Sequence, residues 1–192
     1  MLSQAQNDRL TRVGPGTPMG ELFRRFWLPA VLPSELPEPD CAPVRFRILG
    51  EDLVLYKDKS GTYGLIDRYC PHRRVNLAYG IPEEQGLRCM YHGMKFGPDG
   101  KCVEIPAQER IPDRACVRTY PVVEKNNWIW VWMGDSAKAD PALICFAVGY
   151  SDPDWNMRTN QIRVETNYRL EIANLMDLSH LTYVHRDSFG GT

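Results

Sequence analysis

The sequence has no long apolar run and no excess of charge of either sign, and it contains only four histidines. No segment approaches the roughly 20 apolar residues that a membrane helix needs, and residues 1–10 are polar, unlike a signal peptide. The formal net charge of −1 gives no reason to expect nucleic acid as a partner. We therefore expect a cytoplasmic globular protein that binds neither membrane nor nucleic acid. Its six cysteines should then be thiols or metal ligands, not disulfides.

Short apolar segments separated by turns predict antiparallel strands. Residues 44–49 alternate between apolar and polar side chains, and similar candidates follow at 53–56, 63–66 and 128–132. The run Gly-Pro-Asp-Gly at 97–100 predicts a tight turn, because proline presets φ and glycine tolerates a positive φ. Several short strands joined by turns indicate a small antiparallel β domain.

A helix is predicted to begin at Thr17-Pro18, with threonine as N-cap and proline at the first helical position. Apolar residues follow at helical spacing: Met19, Leu22, Phe23 and Phe26. We expect this apolar stripe to pack on the body of the protein. The alternative is a surface that binds a partner.

A second segment follows a linker-like stretch at 134–142. Ile162 and Val164 are typical of a strand, and apolar residues at helical spacing predict one helix over 168–184. The predicted fold class is α+β. Its predicted parts are an N-terminal helical arm at 1–39, the β domain at 40–135 and the incomplete start of an α+β domain at 136–192.

Two of the four histidines stand close to cysteines, in Cys70-Pro71-His72 and Cys89-Met90-Tyr91-His92. Each pair falls between strand candidates and therefore on a loop. A [2Fe–2S] cluster with mixed ligands needs two thiolates on one iron and two neutral imidazoles on the other. One cysteine and one histidine from each loop meet that need, because the two loops can then enclose the cluster.

Two other interpretations remain open for these residues. A tetrahedral zinc site uses the same residue types, although its paired ligands are usually spaced by two to four residues and Cys-x-His is tighter. Alternatively, the cysteines are core residues with no ligand. The remaining cysteines show no ligand spacing and are interpreted as plain thiols: Cys41, Cys102, Cys116 and Cys145.

The run Cys-Pro-His-Arg at 70–73, together with Cys-x-Tyr-His-Gly at 89–93, resembles Rieske oxygenases and their ferredoxins. The respiratory Rieske proteins carry an extra cysteine in each loop and a serine after the second His-Gly. The corresponding residues here are Val75, Tyr91 and Met94. The resemblance therefore implies a Rieske [2Fe–2S] domain of the oxygenase type.

Three further residues near these loops either match the family pattern or depart from it. Pro106 matches a third loop that shields the cluster, although a plain turn proline is the alternative. Arg74 stands where the family frequently has glycine, and Met94 where it frequently has tryptophan. Neither residue is a ligand, so cluster binding is still expected.

His180 and His185 form the second histidine pair. Five residues place two rings about 140° apart on a straight helix, so they converge only if the helix deforms or ends. Two unrelated helix histidines are the alternative. Because a one-electron carrier needs an acceptor, the neighbouring iron–sulfur motif favours an iron(II) site with two histidines and a carboxylate.

The motif Asn-Leu-Met-Asp-Leu-Ser-His-x(4)-His at 174–185 is similar to the mononuclear iron motif of Rieske oxygenases, notably the vanillate O-demethylase group. The run at 12–27 resembles phthalate dioxygenase oxygenase components. The resemblance implies His180 and His185 as iron(II) ligands. It further implies that Asp177 bridges a ligand histidine to the Rieske centre of a neighbouring subunit, and that Asn174 lines the iron site.

The resemblance implies a homotrimeric terminal oxygenase component that hydroxylates or O-demethylates an aromatic acid. Electrons would come from NADH through a reductase or ferredoxin. The family's third iron ligand is an aspartate far downstream, and Asp187 does not match its place, so we expect an N-terminal fragment without activity of its own. The alternative is a Rieske ferredoxin-like electron carrier, which would have no use for Asp177, His180 or His185.

Overall fold

The computed structural model describes residues 2–106, 108–145, 150, 152–156 and 162–188. The chain separates into two compact units, 1–145 and 146–192. The mixture of helices and antiparallel strands confirms the predicted α+β class.

Within the described residues, unit 1–145 contains two α-helices and eleven strands, in the chain order α1 (Gln4–Thr11), α2 (Pro18–Phe23), β1 (Trp27–Val31), β2 (Val44–Ile48), β3 (Glu51–Lys57), β4 (Tyr63–Asp67), β5 (Ile81–Glu83), β6 (Gly86–Arg88), β7 (Lys95–Phe96), β8 (Cys102–Glu104), β9 (Thr119–Tyr120), β10 (Val122–Lys125) and β11 (Trp128–Trp132). Three antiparallel sheets result, with the strand orders β1-β11-β10, β2-β3-β4-β9 and β5-β6-β7-β8. The strands predicted at 44–49, 53–56, 63–66 and 128–132 are confirmed.

Strand β3 lies between two hydrophobic cores. Leu53 and Leu55 pack in one core with residues of β11, whereas Val54 and Tyr56 pack in the other with residues of β6 and β7. Because successive side chains of a strand point to opposite faces, a strand buried on both faces has a continuous apolar sequence. The second core also contains Cys70 and Cys89, so the candidate ligands lie at its edge.

Helix α2 begins as predicted, with the Thr17 side chain accepting a hydrogen bond from a backbone N–H. The predicted packing of its apolar stripe is wrong, because Leu22, Phe23 and Phe26 are all exposed and Phe26 lies beyond the helix end. Arg24 attaches this segment instead. Its guanidinium lies 2.7 Å from the buried Glu51 carboxylate and also donates to two backbone carbonyls.

The segment predicted to be a helical arm also contains β1, which pairs with β11. This strand was not predicted, because proline is disfavoured in central strands and Pro29 lies within this short segment. Strand β1 occupies the sheet edge, where proline is tolerated. Trp27 from this strand donates from Nε1 to the Asp140 carbonyl oxygen at 2.8 Å. The predicted linker at 134–142 is therefore attached to the sheet.

In unit 146–192, the single helix predicted over 168–184 is interrupted. Helix α3 (Tyr168–Met176) ends before Asp177, a 3₁₀ turn covers Leu178–His180, and α4 covers Leu181–Val184. The Asp177 carboxylate accepts from the backbone N–H of Ser179 at 3.0 Å and from its hydroxyl at 2.5 Å. Aspartate favours such local caps over helix interiors, which explains the break.

The strand predicted at Ile162 and Val164 is also wrong, since residues 162–167 are described without a strand and both side chains are exposed. Among the helices in the described ranges, none has the length and apolar character needed to cross a membrane.

Candidate metal centres

The first candidate loop follows β4 and carries Cys70 and His72. The backbone N–H of Cys70 donates to the Val75 carbonyl at 2.9 Å, and the N–H of Arg74 donates to the Cys70 carbonyl at 2.9 Å. Arg74 has a φ of +59°, which turns the chain back toward the sheet. These bonds hold the cysteine at the base of a tight loop.

The second loop connects β6 to β7 and repeats this hydrogen-bond pattern. The N–H of Cys89 donates to the Met94 carbonyl at 2.8 Å, and the N–H of Gly93 donates to the Cys89 carbonyl at 3.0 Å. Gly93 has a φ of +75°, in the same left-handed region as Arg74. The two loops therefore present their cysteines from equivalent backbone positions.

The four predicted cluster ligands are brought together. Cys70 and Cys89 are buried, with 2% and 3% of their surface exposed, whereas His72 and His92 are exposed and their ring centroids lie 4.5 Å apart. Sulfur ligands thus lie inside and imidazoles outside, which suits a cluster with two thiolates on one iron and two imidazoles on the other.

The protonation states of these groups differ with their surroundings. Burial raises the pKa of the Cys70 thiol to about 11; backbone amides of His72 and Arg73 oppose the shift, and the neighbouring Cys89 adds to it. Desolvation lowers the pKa of His92, and the charge of His72 lowers it further. The imidazole is thus ready to bind metal, whereas the thiol must lose its proton as the metal binds.

Arg88, the residue before Cys89, was not among the predicted site residues. Its guanidinium binds Glu83 at 2.7 and 2.8 Å, Glu104 at 2.7 and 3.1 Å, and the Gly93 carbonyl at 2.7 Å. These hydrogen bonds raise the pKa of Arg88 and lower those of both carboxyls. The signal in the sequence was a charged residue directly before a ligand, but its partners lie on other strands.

Pro106 lies against the second loop, as the third-loop interpretation predicts. A Cβ atom placed on Gly93 would come within 2.8 Å of the Pro106 Cγ atom. A cavity of about 500 Å³ opens beside these residues, and the rings of His72 and His92 line it together with Met94. The histidine edges therefore face an open space rather than the core.

His180 and His185 also converge, with ring centroids 5.3 Å apart. Helix α3 ends before His180, and His185 follows the last residue of α4, so neither ring is held to the angle of a straight helix. The His180 Nδ1 atom contacts the Asp177 carbonyl oxygen. Its Nε2 atom is buried without a hydrogen-bond partner, a state that suits a metal ligand.

The other residues predicted around the iron are placed less directly. Asn174 lies on α3, one turn before Asp177, and the Asp177 carboxylate contacts Ser179 rather than a histidine. Asp187 is paired with Arg186 at 3.5 Å. In the described part of the chain, no three His, Cys, Asp or Glu side chains converge on a single ion.

Comparison with known proteins yields two family matches along the chain. Residues 26–121 match the Rieske [2Fe-2S] domain, and residues 164–192 match the vanillate O-demethylase oxygenase C-terminal domain. The 5,5'-dehydrodivanillate O-demethylase oxygenase subunit of Sphingobium sp. is 51% identical over 140 residues, which are 70% of this chain and 32% of that protein.

The phthalate 4,5-dioxygenase oxygenase subunit of Pseudomonas putida is 36% identical over 194 residues, covering 98% of this chain and 43% of the relative. The crystal structure of dicamba monooxygenase bound to dicamba aligns with a TM-score of 0.72 and 39% identity, covering 85% of this chain and 48% of that one. The chain spans less than half the length of these relatives. On the strength of the Rieske domain and these relatives, the chain belongs to the Rieske non-haem iron oxygenase family.

Proposed function

We propose that this chain is part of the terminal oxygenase component of a system that hydroxylates or O-demethylates an aromatic acid. The observation that carries the proposal is the presence of two histidine pairs in one chain. The rings of His72 and His92 lie 4.5 Å apart beside two buried cysteines, and those of His180 and His185 lie 5.3 Å apart.

Cys70, Cys89, His72 and His92 would hold the [2Fe–2S] cluster. When bound, the cluster transfers single electrons and the mononuclear iron(II) activates dioxygen. The buried cysteines keep the inner side of the site away from water. The exposed histidine edges leave a path by which an electron donor or acceptor can approach.

His180 and His185 would supply two ligands to the mononuclear iron, and Asn174 would line that site. We propose that the third ligand is an aspartate beyond the described residues. Asp177 would connect a ligand histidine to the Rieske centre of a neighbouring subunit in a homotrimer. The Ser179 hydrogen bonds lower the pKa of the Asp177 carboxyl, so it is charged at neutral pH.

The electron donor would be a reductase or ferredoxin that takes electrons from NADH. The names of the relatives, which include 5,5'-dehydrodivanillate O-demethylase and phthalate 4,5-dioxygenase, support an aromatic acid as the substrate. We place the protein in the cytoplasm, because Cys70 and Cys89 need a reducing environment to remain thiols until the cluster assembles.

A ferredoxin-like carrier without catalysis is the competing proposal. It accounts for the cysteines and histidines of the two loops but gives no role to His180 and His185. Their convergence, with a buried Nε2 atom of His180 that lacks a hydrogen-bond partner, favours the oxygenase.

Anaerobic reconstitution of the 192-residue chain with iron and sulfide tests the cluster. We expect a red-brown protein with two irons per chain and a Rieske-type electron paramagnetic resonance signal. Cys70→Ser should abolish the colour, and the matched control Cys116→Ser should keep it, since Cys116 is exposed and distant in sequence from both loops. A colourless protein that retains zinc would contradict the assignment.

The proposed oxygenase activity is tested in a protein that also contains the downstream region. This protein is supplied with a reductase, NADH and a panel of methoxylated and carboxylated aromatics. A hydroxylated or demethylated product is expected, and cluster reduction without any product would support the carrier. The 192-residue chain alone should give no product, because two histidines leave the iron without its carboxylate ligand.

A further inference from the structure

The first cluster loop carries an arginine at the position where the second loop carries glycine. Arg74 and Gly93 each donate a backbone hydrogen bond to the carbonyl of the loop's cysteine, and their φ angles are +59° and +75°. Residues other than glycine rarely adopt this conformation, and such outliers concentrate at functional sites. The positive φ angle therefore gives no reason for an arginine at position 74, since glycine would adopt it more easily.

The Arg74 side chain is placed beside a second arginine and a small cavity. Its guanidinium lies 4.9 Å from the centre of the Tyr69 ring, and the Arg68 guanidinium lies 5.3 Å from the same ring. The cavity has a volume of about 290 Å³, and its lining residues are Asp52, Asp67, Arg68, Tyr69, Arg74 and Arg118. Apart from Tyr69, every residue in this lining is charged.

The carboxylates of the cavity are already engaged by other arginines. Asp67 lies 2.8 Å from Arg118, which also binds the buried Glu51 at 2.8 Å. Asp52 lies 3.0 Å from Arg47, and the distance to Arg68 is 3.9 Å.

Two arginines of the cavity retain unused donors. Across the described residues, Arg74 makes no ion pair with an acidic side chain, and the buried Nε atom of Arg68 has no hydrogen-bond partner. The cavity thus offers positive charge and donors that the chain itself does not satisfy.

We propose that this cavity binds the carboxylate of an acidic segment on the protein that delivers electrons to the cluster. Guanidinium groups bind carboxylates with paired hydrogen bonds, which suits Arg68 and Arg74. The charged lining and small volume do not suit an aromatic ring, because sites for such ligands are mostly apolar and about 300–1,000 Å³.

The position of the cavity favours an electron donor as the partner. Arg74 lies two residues after His72, so a protein that is anchored at the cavity is held next to the first cluster loop. This inference rests on the proposed function, because it assumes that the loops hold a cluster that receives electrons.

The test uses the reconstituted 192-residue chain and fluorescent hexaglutamate as the acidic probe, with hexaglutamine as the neutral control. Binding is measured by fluorescence anisotropy at about 20 mM and about 200 mM NaCl, since salt screens such contacts. Arg74→Gly should raise the dissociation constant about tenfold, and Arg74→Lys, which keeps the charge but not the planar fork, should raise it less. Arg9→Gln, at an exposed position on α1, should leave it unchanged.

Arg74→Gly is compatible with the fold, because glycine adopts a φ of +59° without strain. All variants should keep the Rieske spectrum and be fully reduced by excess dithionite, so a missing cluster would instead reveal failure of the proposed function. Hexaglutamate that binds Arg74→Gly as tightly as the parent chain, or no better than hexaglutamine, overturns the inference. Inorganic phosphate that binds the same arginines more tightly than hexaglutamate would show a free-anion site and overturn the docking role.

Discussion

Arg88 donates a hydrogen bond of 2.7 Å to the carbonyl oxygen of Gly93, the residue after His92. The same guanidinium binds Glu83 and Glu104, so one side chain ties the second loop to two neighbouring strands. Arg88→Gln should lower the free energy of unfolding by about 1–2 kcal/mol, since the partly buried Glu83 and the exposed Glu104 lose their partner and solvent screens part of the cost. Cluster loss should also accelerate, and both effects can be followed by denaturant titration and visible absorbance.

Arg47→Gln is the matched control for this change. Arg47 makes an ion pair with Asp52 at 3.0 Å, but 68% of its side chain is exposed. An exposed pair of this kind contributes at most about 1 kcal/mol. Equal cluster lifetimes in the two variants would contradict the claim that Arg88 stabilises the second loop.

Gly93→Ala should destabilise the chain more than Gly61→Ala. Both glycines have positive φ, +75° and +83°, so alanine strains each by about 1 kcal/mol. A Cβ atom on Gly61 meets open space, whereas one on Gly93 lies 2.8 Å from Pro106. We expect about twice the loss of stability at Gly93, measured by thermal unfolding. Pro106→Ala in the Gly93→Ala background should recover part of it, and no recovery would mean that Pro106 is not the obstacle.

Cluster assembly should accelerate as the pH rises. Burial raises the pKa of Cys70 to about 11, so the reactive thiolate is scarce at neutral pH and increases up to tenfold per pH unit below that value. The lowered pKa of His92 keeps this ring neutral and available, so it should not limit the rate. The initial rate of colour formation should therefore increase from about pH 7 to about pH 9. A rate that is flat or falls over this range would contradict the prediction.

Asp177→Asn should preserve the fold and reduce turnover in the protein with its downstream region. The amide oxygen of asparagine can still accept the Ser179 hydrogen bonds that cap the 3₁₀ turn, whereas the negative charge is lost. Asp177→Ala removes the cap as well and should lower the stability further. Product formation is measured, and the metal occupancy of both sites is determined in the same samples. Normal turnover of Asp177→Asn would exclude its carboxylate from electron transfer.

The candidate ligands and most strands of the β domain could be predicted from the sequence. Cys-x-His and Cys-x-x-His are local patterns. Because the two residues of each pair are close in sequence, a short loop brings them together without contacts from the rest of the protein. The strands at 44–49 and 128–132 were also predictable, because alternation of apolar side chains and β-branched or aromatic composition are properties of a few consecutive residues.

Features that depend on contacts between residues far apart in the chain could not be predicted without the three-dimensional structure. The edge strand β1 pairs with β11 across about a hundred residues, and Arg88 reaches carboxylates on β5 and β8. The break at Asp177 depends on a side-chain cap that competes with a helical pattern of similar strength. The cavity beside Arg74 likewise exists only because strands and a cluster loop place three arginines around one space. No periodicity encodes such contacts, since their free energy comes from the packing of distant segments.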